Sequence, residues 1–433
     1  MTMILPDGGL HLDALEEQAL QPGTKGLPIT EPLRQHMVGV QHWNVLAADT
    51  SFPVAVLKTS SLLHNLDWMR RFCARYDVAL APHGKTTMSP QLFGAQLANG
   101  AWGITLATAA QVLAAARHGV RRVVLANELV APADIRSLLA LLEDDPGFEL
   151  FVLADSAEGV RRLSEAAAAL GRPLPVLVEL GIAGKRTGCR TLDEAVALAR
   201  TIAASAGLEL AGIEGYEGLL VSEDRAADIE RVDAFLAQVT DLARRLDAEG
   251  LFRGPRILLS AGGSSYFDRV ARAFGAVHGL TRPVLPVLRS GCYLTSDHGH
   301  YLDMTAELDA REGVREGLRP ALEVWSIVLS RPEPGLAILS MGKRDASYDM
   351  ELPRALVTHR PGAAGPVPLP EGAGIDKMND QHAYLRLPEG VDVRVGDLVG
   401  CGISHPCTTF DKWPVLLLVD DDYNVQRAIN TLF

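Results

Sequence analysis

From about Ser60 to Gly291, short apolar runs alternate with stretches rich in Ala, Leu and Arg. The runs at 78–82, 103–107, 122–127, 149–154, 174–180, 208–216, 256–261 and 284–290 are β-branched and apolar almost throughout. That texture predicts strands buried on both faces. Between them, stretches such as 108–118, 156–170, 191–206 and 224–248 place apolar residues at three- and four-residue spacing with charges between. They read as helices packed on a sheet, with Asp155-Ser156 and Ser222 placed to cap the helices that follow. Eight strand–helix alternations predict an α/β fold, a (β/α)8 barrel, with a doubly wound open sheet as the competing arrangement.

After about Asp303 the pattern changes. Pro and Gly become frequent at 331–335 and 361–374, and short alternating runs appear at 323–330, 383–387, 394–402 and 415–419. This predicts a β-rich second domain, which the apolar run 54–57 joins from the N-terminal side. The expected division is a barrel over 60–302 and a β-rich domain from 1–59 and 303–433.

Composition narrows the function classes. The chain has 433 residues, 48% hydrophobic and 22% charged, with a formal charge of -12. Such an acid balance argues against a nucleic-acid partner, because phosphate contacts need a surplus of Lys and Arg. No apolar run reaches the roughly 18 to 20 residues of a membrane span, and residues 1–20 lack a secretory leader's basic-then-apolar pattern. Five scattered cysteines (Cys73, Cys189, Cys292, Cys401, Cys407) show no framework spacing, so they are expected to be reduced thiols of a cytoplasmic protein.

Candidate chemistry collects after the strands. Lys85, in Ala81-Pro82-His83-Gly84-Lys85-Thr86-Thr87, follows the first expected strand, at the end where barrels keep their active sites. An amine among apolar walls forms an imine with an aldehyde cofactor; a surface lysine after a strand is the plain alternative. The seventh strand ends in Ser260-Ala261-Gly262-Gly263-Ser264-Ser265-Tyr266 and the eighth in Arg289-Ser290-Gly291-Cys292-Tyr293. Small residues after these two strands suit a phosphate held by backbone N–H groups, although glycine pairs also mark ordinary turns. Arg186, after the fifth strand, suits a ring oxygen or a rim salt bridge, and Tyr216 a cofactor contact or a core position. In Ser404-His405-Pro406-Cys407, imidazole and thiol form a pair suited to zinc with positions left for water and substrate; the same pair also arises by chance.

Together these pieces resemble the fold-type III pyridoxal-phosphate enzymes, specifically the D-serine dehydratase and D-threonine aldolase group related to alanine racemase. The resemblance rests on Pro82-His83-Gly84-Lys85-Thr86, on Arg186-Thr187-Gly188, on the two small-residue loops, and on His405-Pro406-Cys407-Thr408-Thr409-Phe410-Asp411-Lys412. It implies pyridoxal 5'-phosphate as a Schiff base on Lys85, Arg186 at the ring oxygen, and His83 and Tyr216 at the ring. It further implies Gly263, Ser264, Gly291 and Cys292 around the phosphate, largely through backbone groups. His405 and Cys407 would hold a divalent metal, Zn2+ by ligand type, and His382, in Asn379-Asp380-Gln381-His382, is a candidate third polar group. The family often has His after the sixth-strand tyrosine and glycine; here Gly218 is followed by Leu219, which weakens the role of Tyr216.

Family members are usually dimers, so a homodimer acting on a small D-amino acid is expected. Aldolases of the group tend to carry Asp at the position of Cys407 and dehydratases Cys, which favours dehydration of D-serine to pyruvate and ammonia. Retro-aldol cleavage of a D-3-hydroxy amino acid to glycine and an aldehyde is the leading alternative. A racemase would need a second base on the opposite face, and no C-terminal tyrosine stands out for it. The long β-domain with its metal-type pair argues against a non-catalytic cofactor carrier.

Overall fold

The computed structural model describes residues 5–222, 224–313 and 316–433. They form two compact units, each assembled from separated pieces of chain. One comprises Met69–Lys85 and Gln96–Gly291; the other comprises Met1–Trp68, Thr86–Ala95 and Cys292–Phe433. Two of the cuts fall beside Trp68 and Cys292, and two more set Thr86–Ala95 with the second unit.

The first unit holds an 8-stranded sheet. In chain order its strands are Ala79–Leu80, Ile104–Leu106, Arg122–Glu128, Glu149–Ala154, Leu174–Leu180, Leu208–Gly215, Ile257–Ala261 and Val284–Leu288. Every pairing is parallel, and the last strand lies beside the first. The ring closes between the first two strands, where Trp102 N–H donates to Leu80 O at 2.7 Å and Thr105 N–H to Pro82 O at 2.9 Å. His83 and Thr105 add a parallel bridge. Closure decides for the barrel over the open sheet. Ala81, Val124, Leu153, Leu177, Ala211, Leu258 and Val287 form one buried cluster, the inward-facing filling such a barrel needs.

The helices between strands start where short polar side chains accept an orphan amide. Thr108 accepts from Gln111 N–H and Ser156 from Gly159 N–H, each at 3.2 Å. Thr191 and Glu194 form a reciprocal capping box, and a cap of this kind contributes about 1 kcal/mol. Ser222 does not cap the helix Arg225–Ala248. Asp224 accepts from Ala227 N–H at 3.1 Å, while the Ser222 hydroxyl donates to Asp228 at 2.6 Å. The fully buried Asp228 carboxylate captures the serine, so the cap moves two residues along.

The second unit is built on a 10-stranded, mostly antiparallel sheet. Its axis is the 12-residue strand Leu322–Glu333, antiparallel to Leu398–Gly402, to Val54–Lys58 and, in its later half, to Leu336–Leu339. Val54–Lys58 also pairs in parallel with Val415–Val419, so an N-terminal strand lies between two C-terminal ones. At its centre Trp325 meets Tyr423 edge-on, with ring centroids 4.9 Å apart. The buried Glu323 carboxylate accepts from Trp325 Nε1–H at 2.9 Å and Tyr423 O–H at 3.0 Å, and pairs with Lys58 at 2.9 Å. Among the described residues no helix is long and apolar enough to cross a membrane.

Candidate active site

In the barrel unit, Lys85 belongs to the one-turn 3-10 helix Gly84–Thr86 just past the first strand, with its side chain exposed. His83 is held beneath it by its N–H to Arg289 O at 3.1 Å and by the bridge to Thr105. Its Nδ1 is enclosed without a hydrogen-bond partner. Burial first, then the charges of Lys85 and Arg289, hold the imidazole well below its usual pKa and keep it neutral at pH 7. A flat uncharged ring with one unused nitrogen suits the face of an aromatic cofactor.

Arg186 and Tyr216 do come together. The guanidinium lies 4.6 Å from the tyrosine ring centroid, within the range of a cation–π contact. The Arg186 loop is tied down by Thr187 O–H on Glu179 at 2.8 Å and Gly188 N–H on Asp155 at 3.1 Å. Any Cβ at Gly218 or Gly263 would collide with the Tyr216 ring, so both glycines serve its close packing.

The loop after the seventh strand is clasped from two sides. Gly262 and Gly263 N–H donate to the fully buried Glu217 carboxylate at 3.0 and 2.8 Å. Their carbonyls accept from the Ser290 hydroxyl at 3.0 and 2.7 Å. The Gly263 amide assigned to phosphate in the sequence reading therefore already has an acceptor. Ser264, half-buried, and Gly291, buried, stand at the ends of the same two loops. Burial raises the Glu217 pKa against the pull of these amides. Buried Glu214 pairs with Arg289 and is pushed up to about 7, chiefly by burial. Glu128 is pushed up to about 9 by burial and by its hydrogen bond with Glu179. The carboxyls Glu217, Glu214 and Glu128 give no signal in the sequence pattern, since each sits in or beside an apolar strand.

In the second unit, His405 and Cys407 flank Pro406 at the start of the short helix Cys407–Phe410. The turn is pinned by Thr409, whose hydroxyl accepts from Ser347 N–H at 3.0 Å and donates to His405 O at 3.2 Å. Buried Phe410 and Trp413 anchor it below, Trp413 through Nε1–H to Asp345 O at 2.8 Å. His405 Nδ1 bonds Asp349 at 2.7 Å, and Thr408 O–H donates to the other Asp349 oxygen at 2.7 Å. Burial works to raise the Asp349 pKa, but the hydrogen bonds from Thr408 and His405 hold it below its usual value. Asp349 thus fixes Nδ1 and leaves Nε2 for a metal, the carboxylate–histidine arrangement typical of metal sites. Asp349 was not legible as a partner, lying 56 residues before His405. Thr86 and Cys292 are also close to Cys407, at 3.4 and 3.8 Å. His382, by contrast, is exposed in the turn between Gly374–Met378 and Ala383–Arg386, where its carbonyl accepts from Asn379 N–H at 2.8 Å. Among the described residues no hydrogen bond or ion pair joins it to His405 or Cys407.

The model of the alanine racemase N-terminal domain matches residues 57–277, and that of a putative serine dehydratase domain matches 321–419. A 3-hydroxy-D-aspartate aldolase of Paracoccus denitrificans is 28% identical over 369 residues, 84% of this chain and 87% of that protein. A D-threonine aldolase of Arthrobacter sp. is 26% identical over 375 residues, 85% of this chain and 89% of that one. A D-threo-3-hydroxyaspartate dehydratase of Delftia sp. is 24% identical over 400 residues, 88% and 97% of the two. The crystal structure of D-threonine aldolase from Filomicrobium marinum matches with a TM-score of 0.72 at 24% identity, over 89% of this chain and 96% of that one.

Proposed function

Because the chain belongs to the alanine racemase N-terminal domain family, we propose that it is a pyridoxal-phosphate lyase that dehydrates a D-3-hydroxy amino acid with the help of a divalent metal. D-Serine, giving pyruvate and ammonia, is the substrate we assign. The observation that carries the reading is Cys407, two residues after a His405 whose Nδ1 is held by Asp349. A cysteine-to-alanine variant of a D-threo-3-hydroxyaspartate dehydratase, a structural relative, is described in a metal-free form.

When bound, pyridoxal phosphate supplies an electron sink for a carbanion at the substrate Cα, and the metal supplies Lewis acidity to the departing oxygen. Lys85 would hold the cofactor and, once released from it, take the α-proton at Nζ. His83, neutral and enclosed at Nδ1, would offer a face to the ring. Arg186, steadied by Tyr216, would supply its guanidinium to the ring oxygen. Ser264 and Gly291 offer the phosphate small side chains and close backbone approach. His405 Nε2 and the Cys407 sulfur would be the metal donors, a borderline-soft set that favours zinc.

A product assay on D-serine and D-threonine, with and without a chelator, tests the reaction. We expect pyruvate and ammonia from D-serine, with turnover lost on chelation and restored by zinc. Glycine from D-threonine without any 2-oxo acid would replace dehydration by retro-aldol cleavage, the reading favoured by the two aldolase relatives. Lys85→Ala should abolish the visible cofactor band; its persistence would place the cofactor on another lysine. The assembly we expect is a homodimer, which light scattering would report as twice the chain mass.

A further inference from the structure

Cys292 has so far been given only a backbone part, yet its side chain has a neighbour with chemistry. Its Sγ lies 3.8 Å from Cys407 Sγ. The Thr86 hydroxyl touches both, at 3.4 Å from Cys407 and 3.9 Å from Cys292. Both sulfurs stand on fixed turns. Cys292 opens the 3-10 turn Cys292–Leu294, locked by Ser296 N–H to Cys292 O at 2.7 Å and by the burial of Tyr293 and Leu294. Asn65 holds the end of that turn, donating to Leu294 O at 2.9 Å. Cys407 stands on the anchored helix described above.

We propose that Cys292 is a second sulfur ligand of the divalent metal at Cys407, so that two thiolates grip the ion along one edge. The inference rests on the reading of His405 and Cys407 as a metal pair. Its warrant is a length. Two thiolates about 2.3 Å from one tetrahedral zinc stand about 3.8 Å apart, the separation these sulfurs already have. A thiol pair held at that spacing loses little freedom when the ion arrives. The Thr86 hydroxyl accepts from the Cys407 thiol and lies beside Cys292, so it bridges the two sulfurs. Among the described residues no group of three or more His, Cys, Asp or Glu side chains is assembled around one point. The sulfur edge is the part of the site already at its metal-bound spacing; His405 would complete it on metal entry, with the last position left to an oxygen of water or substrate. A second thiolate also makes the site softer than a His–Cys pair, favouring zinc over manganese.

The test counts thiolates. The holoenzyme, stripped of metal under reducing conditions and loaded with Co2+, is read by its sulfur-to-cobalt charge-transfer absorption as a difference spectrum against the zinc-loaded form. Cys292→Ser and Cys407→Ser should each lower the wild-type band about twofold, and Cys292→Ser should weaken metal binding on the order of 10- to 100-fold. A Cys292→Ser band equal to wild type, with the Cys407→Ser band abolished, overturns the role of Cys292 and leaves the His405/Cys407 pair standing. No band in the wild type overturns both. Alkylation of the unmutated protein gives an independent reading that needs no variant to fold. Zinc should protect Cys292 and Cys407 alike, and alkylation of Cys292 at an unchanged rate overturns the proposal.

Discussion

A guanidinium 4.6 Å from a tyrosine ring gives Arg186 a direction in an otherwise exposed loop. The contact depends on the ring, not the hydroxyl. Tyr216→Leu should therefore remove about 0.5–2 kcal/mol of orientation, weakening pyridoxal phosphate binding roughly 2- to 30-fold in an absorbance titration, while Tyr216→Phe stays near wild type. A second residue-scale consequence concerns acid. His298, packed on Gly402, is pulled down to about 4 by burial, whereas in the unfolded chain it titrates near its ordinary 6.5. Between those values the unfolded chain binds the extra proton. The His298 contribution is thus complete above pH 6.5 and is lost as pH falls toward 4, at most about 3 kcal/mol. Melting curves across that window should fall less steeply for His298→Gln than for wild type; parallel curves would show that His298 is not held neutral.

The clasp on Gly262 and Gly263 is a property of three elements together: the 3-10 turn after the sixth strand carries Glu217, the loop after the eighth carries Ser290, and the loop of the seventh lies between. Removing the acceptor with Glu217→Ala leaves the buried Gly262 amide unsatisfied, at about 1–3 kcal/mol, and frees the half-buried Gly263 amide. Hydrogen exchange across 260–266 should accelerate; unchanged protection would mean that Ser290 alone fixes the loop. None of this clasp was legible in the chain, because Glu217 and Gly263 are 46 residues apart and a lone Glu beside a tyrosine carries no pattern. The barrel strands were legible for the opposite reason. Runs such as Leu174–Leu180 are buried along nearly their whole length, so burial writes itself into composition. In the second unit, Leu322–Glu333 and Val415–Val419 were readable, but Gly374–Met378 was not. Its residues are mostly half-buried or exposed, and its partner strand alone makes it a strand. At the site, Lys85, His405 and Cys407 stood out as reactive residue types in short motifs, whereas Asp349, Glu217 and the side chain of Cys292 gain meaning only from distant neighbours.

Across the whole molecule, the second unit is the costlier to assemble, since its sheet joins residues from both chain ends. Val56 is fully buried and paired on both sides, to Glu323 and to Leu417. Val56→Asp would place an unpaired charge there at a cost of several kcal/mol, comparable to the margin that keeps a protein folded. We expect that variant to be recovered mainly as insoluble protein; soluble, fully active Val56→Asp would show the strand to be dispensable. The same placement has a consequence in time. A ribosome adding about 5–20 residues per second reaches Val419 roughly 20–70 s after it passes Lys58. All the barrel strands are synthesised within that interval, while Val54–Lys58 waits as a sticky, unpaired apolar segment. Newly made chains should therefore depend on holding chaperones at this segment, and crowded or rapid synthesis should harm yield more than mild heating of the finished protein.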